Sequence, residues 1–354
     1  MPQNKIKVLL VEDSITVLGL LKHILNEDSH FQVIGCVGNG KMAIEFVDRN
    51  KPDVISMDIN MPVMDGLEAT RQIMYYNPVP IVIVSSQYEP SNVSLSFNIL
   101  KAGALTILPT PFGPGNPQYL QMARDYRNTL KMMSGIKVTA QRKKPVSPVP
   151  EVKPVNNQSP QIIIAGTKPE IIAIGASAGG PMAIQTILNK IPSNIPVPIM
   201  IVQHIDSNFA DGYCEWLMST SLIPVKIARD GEKLKPGNAY LPPGDTHLGF
   251  HDKGIAKVTK DLPERNLRPA VSYLFNSLAK TYGKQAVAIL LSGMGQDGAN
   301  ELKMLRTLGS LTIAQDEASS LVHGMPGEAI RIGGASLILS PENIVNELIK
   351  IYNL

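Results

Sequence analysis

Ile171-Ile172-Ala173-Ile174-Gly175-Ala176-Ser177-Ala178-Gly179-Gly180-Pro181 is an apolar run that breaks into small residues and then meets a proline. Its first residues carry no polar partner to alternate with, which predicts a strand buried on both faces. The glycines predict a sharp turn, and Pro181 suits the first turn of a helix reaching Lys190. Strand, turn and helix in that order predict a parallel α/β sheet, where ligands sit outside the carboxyl ends of the strands. Ser177 stands at such an end. Gly175-x-Ser177-x-Gly179 fits a nucleophile elbow, whose small residues expose the hydroxyl. A plain tight turn has the same composition. A dinucleotide-binding loop fits less well, because Ser177 occupies the place of the second glycine in Gly-x-Gly-x-x-Gly and no Gly-Lys-Ser/Thr follows.

A serine hydroxyl needs a base to take its proton. The histidines of the same half are His204, His247, His251 and His323, and only His204 ends a hydrophobic strand, Ile199-Met200-Ile201-Val202-Gln203-His204. His247, read as lying in a turn after a short strand, is the reserve. The third group should be a carboxylate at another strand end, holding the imidazole in the right tautomer. Ala286–Ser292 opens into Gly293-Met294-Gly295-Gln296-Asp297-Gly298, which puts Asp297 in a glycine-rich loop whose amides can face an oxyanion. The plainer alternative makes Asp297 the N-cap of a helix over 299–308. The order Ser177, His204, Asp297 differs from the Ser-Asp/Glu-His order of α/β-hydrolases, so the elbow belongs to another doubly wound scaffold.

Further outward, residues 140–170 carry prolines at 145, 148, 150, 154, 160 and 169, which predicts an extended linker between two folding units. On its N-terminal side, strand candidates at 5–11, 31–37, 54–57, 81–85 and 105–108 alternate with helical stretches and predict a five-stranded doubly wound domain. On the C-terminal side the candidates are 171–174, 197–203, 225–227, 239–241, 286–292 and 310–314. The predicted fold class is therefore α/β, with two doubly wound parallel-sheet domains, at 1–125 and 169–354, joined by a helix end and Pro-rich linker over 126–168.

Composition narrows the function. The chain has 354 residues, 44% of them hydrophobic, and a net charge of +3. Residues 131–168 alone carry +6, which leaves the rest at −3 and removes the electrostatic argument for nucleic acid as a partner. The longest apolar runs, such as Ala286–Leu291, fall well short of the ~18 residues of a membrane span. Cys36 and Cys214 lie in different halves with no Cys-x-x-Cys, which predicts neither a disulfide framework nor structural zinc, and suits a cytoplasmic setting.

In the N-terminal half, Glu12-Asp13 and Asp58 end the first and third strands, so three carboxylates should converge where Mg²⁺ would find hard oxygen ligands. Capping of the following helix by Asp13 or Ser14 is the alternative. With Met57-Asp58-Ile59-Asn60-Met61-Pro62 and Ser85-Ser86, residues 5–125 resemble the receiver domain of two-component response regulators. That resemblance implies Asp58 as phosphoryl acceptor, Glu12, Asp13, Asp58 and the Asn60 carbonyl as the Mg²⁺ site, and Ser85 as the switch hydroxyl. One departure is plain: Thr110, in Leu108-Pro109-Thr110-Pro111, stands where receivers usually carry a lysine, and it cannot supply a cation. Lys101 is a poor substitute, since it should sit on the preceding helix.

The chain as a whole resembles the protein-glutamate methylesterase family of chemotaxis response regulators. Beside the segments above, the resemblance rests on Asp230-Gly231-Glu232, Pro243-Gly244-Asp245-x-His247-Leu248, Arg268-Pro269, Ala314-Gln315-Asp316-Glu317 and Gly324-Met325-Pro326. It implies Ser177 as nucleophile, His204 as base, Asp297 as its orienter and the Met294 amide as oxyanion donor. Ala178 replaces a threonine often found there. The implied substrate is a glutamate γ-methyl ester on a methyl-accepting chemoreceptor, with glutamine deamidation as a second activity and no cofactor for either. A histidine kinase of the chemotaxis type is the implied phosphodonor, and a receiver covering the site implies autoinhibition. A non-catalytic adaptor with a degenerate receiver and an esterase for a small molecule are the competing readings.

Overall fold

The computed structural model describes residues 5–85, 98–136, 138, 168–205 and 207–354. The segment over 140–167 and Ser86 lie outside the described residues.

The N-terminal unit is one parallel sheet of β1 (Ile6–Val11), β2 (Phe31–Val37), β3 (Val54–Met57), β4 (Ile81–Ser85) and β5 (Thr106–Pro109), in the order β2-β1-β3-β4-β5. Alternate residues feed two cores. Leu9, Val11, Ile55 and Ile83 meet α2 (Gly40–Arg49) and α3 (Gly66–Tyr76) on one face. Val8, Leu10, Val82 and Val84 meet α1 (Ile15–Asn26) and α4 (Tyr119–Met133) on the other. Both faces are covered, so the first four residues of β4 and the last four of β1 read as unbroken apolar runs, while the edge strand β2 exposes Gln32. The last turns of α4 run past residue 125, and Tyr126 ties them to the sheet by donating to Ser56 Oγ at 2.9 Å. The chain reverses direction across the sheet between β1 and β3, and this sets Glu12, Asp13 and Asp58 at the switch point.

The C-terminal unit is a seven-stranded parallel sheet, β14-β13-β12-β6-β7-β9-β8. Its strands are β6 (Ile171–Ala176), β7 (Ile199–Gln203), β8 (Val225–Ile227), β9 (Ala239–Leu241), β12 (Ala286–Leu290), β13 (Leu311–Gln315) and β14 (Leu337–Leu339). Again the residues alternate between cores: Ile172, Ile174 and Ala176 on one face, Ile171 and Ala173 on the other. Helices α5 (Gly180–Leu188), α6 (Ala210–Thr220), α7 (Val271–Thr281), α8 (Ala299–Thr307), α9 (Met325–Arg331) and α10 (Pro341–Tyr352) complete the unit. β6 lies between β7 and β12, so the ends of these three strands are neighbours.

Three features depart from the expectation, the first being β14, a short seventh strand at the sheet edge that none of the six candidates covers. An antiparallel hairpin, β10 (His247–Asp252) with β11 (Ile255–Thr259), lies outside the main sheet. His247, expected in a turn, opens β10 instead and is fully buried. Its Nδ1 accepts from the Ala270 amide at 3.3 Å, its Nε2 lies 3.2 Å from the Leu262 carbonyl, and its ring stacks on Tyr273. Those contacts occupy both nitrogens, which removes it as the reserve base.

The two units touch. The receiver-side core that holds Val84, Leu105 and Tyr119 also takes in Ala178, Met294 and Leu321 from the second unit.

Candidate active site and acidic cluster

The turn after β6 is built by hydrogen bonds that leave the serine side chain outward. Ser177 N–H donates to the Ser292 carbonyl at 3.0 Å, extending the β6–β12 ladder past its last pair. The Ser177 carbonyl accepts from Gly180 N–H and from Gln203 Nε2, each at 2.8 Å. Gly179 takes φ 78°, and a Cβ there would fall 2.5 Å from Leu321 and 2.6 Å from Ser292 Oγ. Gly293 has a matching constraint: a Cβ would lie 2.8 Å from Ser177 Cβ and 2.3 Å from Met325 Sδ. The loop after β12 can approach the serine only because this position has no side chain.

His204 N–H donates to the Ala176 carbonyl at 2.9 Å, which fixes the residue beside the turn. Its ring Nε2 meets Asp297 Oδ2 at 2.9 Å. Asp297 is 4% exposed, and it also accepts from the amides of Val271 at 2.6 Å and Ser272 at 3.0 Å. It therefore caps α7, from another part of the chain. The alternative that made it the cap of the following helix does not hold, because Gly298 at φ 81° is the N-cap of α8. Burial pushes the Asp297 carboxyl up, but the hydrogen bond and charge of His204, with the Ser272 side chain and the Val271 amide, outweigh it and hold it below its ordinary value. An ionised Asp297 leaves the proton on Nε2 and a lone pair on Nδ1. Among the described residues, the Ser177 hydroxyl and His204 Nδ1 make no hydrogen bond; nucleophile–base bonds are commonly loose before substrate arrives.

The Gly293 carbonyl accepts from Gly324 N–H at 3.0 Å and Met325 N–H at 2.8 Å. In a planar trans peptide this turns the Met294 N–H to the opposite side, and that amide has no acceptor among the described residues. Sequence reasoning named Met294 but missed the Gly324-Met325 amides that orient its peptide. It also missed Val271 and Ser272, whose amides lie 26 and 25 residues from Asp297 along the chain.

At the other switch point, carboxylate oxygens of Glu12, Asp13 and Asp58 lie within 4.8 Å of one another. Ser14, not Asp13, caps α1 by accepting from Val17 N–H at 3.4 Å, so Asp13 remains available to the cluster. Burial pushes the Glu12 carboxyl up to about 7, with the Ser14 amide opposing and Asp58 and Asp13 adding to the rise. Asp58 is raised too, chiefly by burial, against the Ile59 and Asn60 amides. A Cβ on Gly66 would fall 2.1 Å from the Asp58 carbonyl, so the loop behind Asp58 closes only on glycine.

The β4 and β5 ends bring Ser85 and Thr110 together, the Thr110 amide donating to the Ser85 carbonyl at 3.1 Å. Both hydroxyls are buried and, among the described residues, within hydrogen-bond length of no acceptor, although Ser85 lies close enough to Asp58 to oppose the rise of its carboxyl. No ion pair joins the three carboxylates to a cation among the described residues. Three carboxylates held this close without such a partner fit a hard divalent ion such as Mg²⁺. No described helix is long and apolar enough to cross a membrane.

Comparison with known proteins agrees with both halves. The CheB methylesterase family model matches residues 172–348, and the response regulator receiver domain model matches residues 8–118. The chain is 44% identical to a protein-glutamate methylesterase/protein-glutamine glutaminase of Nitrosospira multiformis, over 97% of this chain and 96% of the relative. It is likewise 44% identical to one from Geobacter metallireducens, over 97% and 98%. The solved catalytic domain of Thermotoga maritima CheB methylesterase matches at 36% identity and a TM-score of 0.50, covering 52% of this chain and 100% of that one.

Proposed function

This chain belongs to the CheB methylesterase family, and from that premise we propose that it hydrolyses glutamate γ-methyl esters on chemoreceptors through Ser177, His204 and Asp297, releasing methanol. It is a hydrolase, a protein-glutamate methylesterase with a receiver domain. Family membership along nearly the whole length favours this over the adaptor and over an esterase for a small molecule.

The observation that carries the assignment of roles is the 2.9 Å contact of His204 Nε2 with a buried, ionised Asp297, one strand end away from Ser177. In this reading His204 Nδ1 takes the proton from Ser177 Oγ as that oxygen attacks the ester carbonyl. The Met294 N–H stabilises the oxygen as it becomes negative. The tetrahedral centre collapses, the C–O bond to the methoxy group breaks, and Nδ1 returns the proton to the departing methanol. Water then attacks the acyl-enzyme, again giving its proton to Nδ1, and glutamate is released with Ser177 restored. The same steps on a glutamine side chain release ammonia, matching the glutaminase named for the relatives.

In the receiver, Glu12, Asp13 and Asp58, with the Asn60 carbonyl, would hold Mg²⁺, which when bound offsets charge at the attacking and leaving oxygens of phosphoryl transfer. Asp58 is the acceptor, a chemotaxis-type histidine kinase the donor, and Ser85 the hydroxyl that senses the modification. The contact of Ala178, Met294 and Leu321 with the receiver core supports a resting state in which the receiver obstructs the catalytic loops. Methanol release from a methylated receptor fragment tests the reading: Ser177→Ala should abolish it, and turnover that survives this change would sink it.

A further inference from the structure

We infer that Arg265 reads a carboxylate on the substrate beside the reacting glutamyl group, so that this chain prefers esters set among acidic residues. This rests on the methylesterase reading above and adds a specificity element to it.

Arg265 and Asn266 have φ of 52° and 65°, and they are the two central residues of a turn. Glu264 N–H donates to the Leu267 carbonyl at 3.1 Å, and Leu267 N–H donates back to the Glu264 carbonyl at 2.9 Å. Positive φ at both central positions with reciprocal bonds is the type I′ hairpin turn, which holds its tip in one geometry. Ser272 fastens this turn to the catalytic centre. Its hydroxyl bonds the Glu264 carboxylate, and its amide donates to Asp297 Oδ1 at 3.0 Å. The turn that carries Arg265 and the carboxylate that holds His204 therefore share one anchor.

Arg265 forms a wall of a cleft of about 380 Å³ that also takes in Leu267, Met294, Asp297 and Asn300. The cleft shares Met294 and Asp297 with the catalytic centre, so in this reading the substrate segment beside the ester lies along it. The Arg265 side chain is half-exposed, and its N–H groups make no hydrogen bond among the described residues. Its one ion-pair partner is Glu301, Nη2 to Oε1 at 3.7 Å, longer than a charge-assisted hydrogen bond. Glu301 is largely buried, and its Oε2 has no partner. A planar fork of donors left unsatisfied at the rim of a cleft suits a carboxylate that can be gripped in bidentate fashion. The ester itself is neutral, so that carboxylate must come from a neighbouring residue of the substrate.

The test uses two helical peptides, each with one glutamate γ-methyl ester, flanked in one by glutamate and in the other by glutamine. Methanol release is followed with the full chain and with residues 168–354, which carry their own sheet and cores and match a catalytic domain solved in isolation. The expected KM is about fivefold lower for the glutamate-flanked peptide, with kcat moving much less. Arg265→Gln should collapse that ratio toward one, Arg265→Lys should keep part of it, and added salt should shrink it. Equal KM values for the two peptides, or an undiminished ratio in Arg265→Gln, would overturn the inference. Failure to turn over either peptide would count against the methylesterase reading instead. Arg265 is then judged from fluorescence-anisotropy binding of the two peptides to the Ser177→Ala chain, where the same ratio is expected and equal affinities refute it.

Discussion

His204 meets Asp297 through Nε2, at 2.9 Å, and so presents Nδ1 as the nitrogen left to work on Ser177. The tautomer follows from the partner. Asp297 is anchored by the Val271 and Ser272 amides at the N-terminus of α7, where backbone donors and the helix dipole both favour its charge.

Replacing Asp297 by Asn removes that charge while keeping the shape, and lets the ring settle in the wrong tautomer. The expected loss in kcat is about 10³–10⁴-fold with KM little changed, the order seen when a triad carboxylate is neutralised. Initial rates of methanol release across substrate concentration would decide it, and a loss under tenfold would deny Asp297 this role.

Gly293→Ala tests the close approach of the two loops. The added methyl would sit 2.8 Å from Ser177 Cβ and 2.3 Å from Met325 Sδ, so one loop must move. We expect a destabilisation of about 1–3 kcal/mol and a fall in kcat on the order of 100-fold. Urea unfolding and turnover measured on the same preparation would show both; an unaffected kcat would mean the loop yields away from the serine.

The acidic cluster predicts a pH dependence opposite to that of a paired carboxylate. Glu12 is raised from 4.5 to about 7, so its contribution to stability is full below about pH 4.5 and is lost as pH rises to about 7. Without divalent cation, the receiver should lose on the order of 1–2 kcal/mol across that window, less than the bare shift because the site opens toward solvent. Mg²⁺ should restore it. Thermal unfolding of the receiver at pH 5 and pH 7.5, with and without Mg²⁺, measures this, and a flat, metal-independent profile contradicts it.

The apolar contact of Ala178, Met294 and Leu321 with the receiver core predicts that the full chain is slow at rest. Residues 168–354 alone should release methanol about tenfold faster, a coupling of usual size for two-state regulation. Mg²⁺ with a small phosphodonor should bring the full chain toward the truncated rate. Equal rates for the two chains would mean the receiver does not obstruct. A fast fragment beside a full chain indifferent to phosphodonor would mean that Thr110, lacking the lysine's charge, has uncoupled the switch.

The sheet elements are legible because buried strands read as apolar runs, and both boundaries of β3, β4 and β9 fall where such runs begin and end; β2 and β8 keep their expected boundaries although Gln32 and Lys226 interrupt them. The hairpin β10–β11 was not legible. Gly249 weakens its alternation, and His251-Asp252-Lys253-Gly254 reads as loop although it pairs antiparallel to either side of its turn. His247 reads as part of a turn for the same reason. As the first residue of an unrecognised strand it looked like part of a turn, whereas tertiary contacts on both ring nitrogens make it structural.

Two parallel sheets, with Ser177, His204, Asp297, Glu12, Asp13 and Asp58 all following strands, are written in the local pattern of residues, because burial periodicity and glycine turns are local properties of the chain. Packing across the strand ends is what sets which nitrogen of His204 faces Asp297, makes Asp297 the cap of α7, turns the Met294 peptide through the Gly324 and Met325 amides, and brings Arg265 to the cleft. Each of these depends on hydrogen bonds between residues far apart in the chain, whose directions are set by how helices and loops pack across the ends of the strands, and no local pattern encodes them.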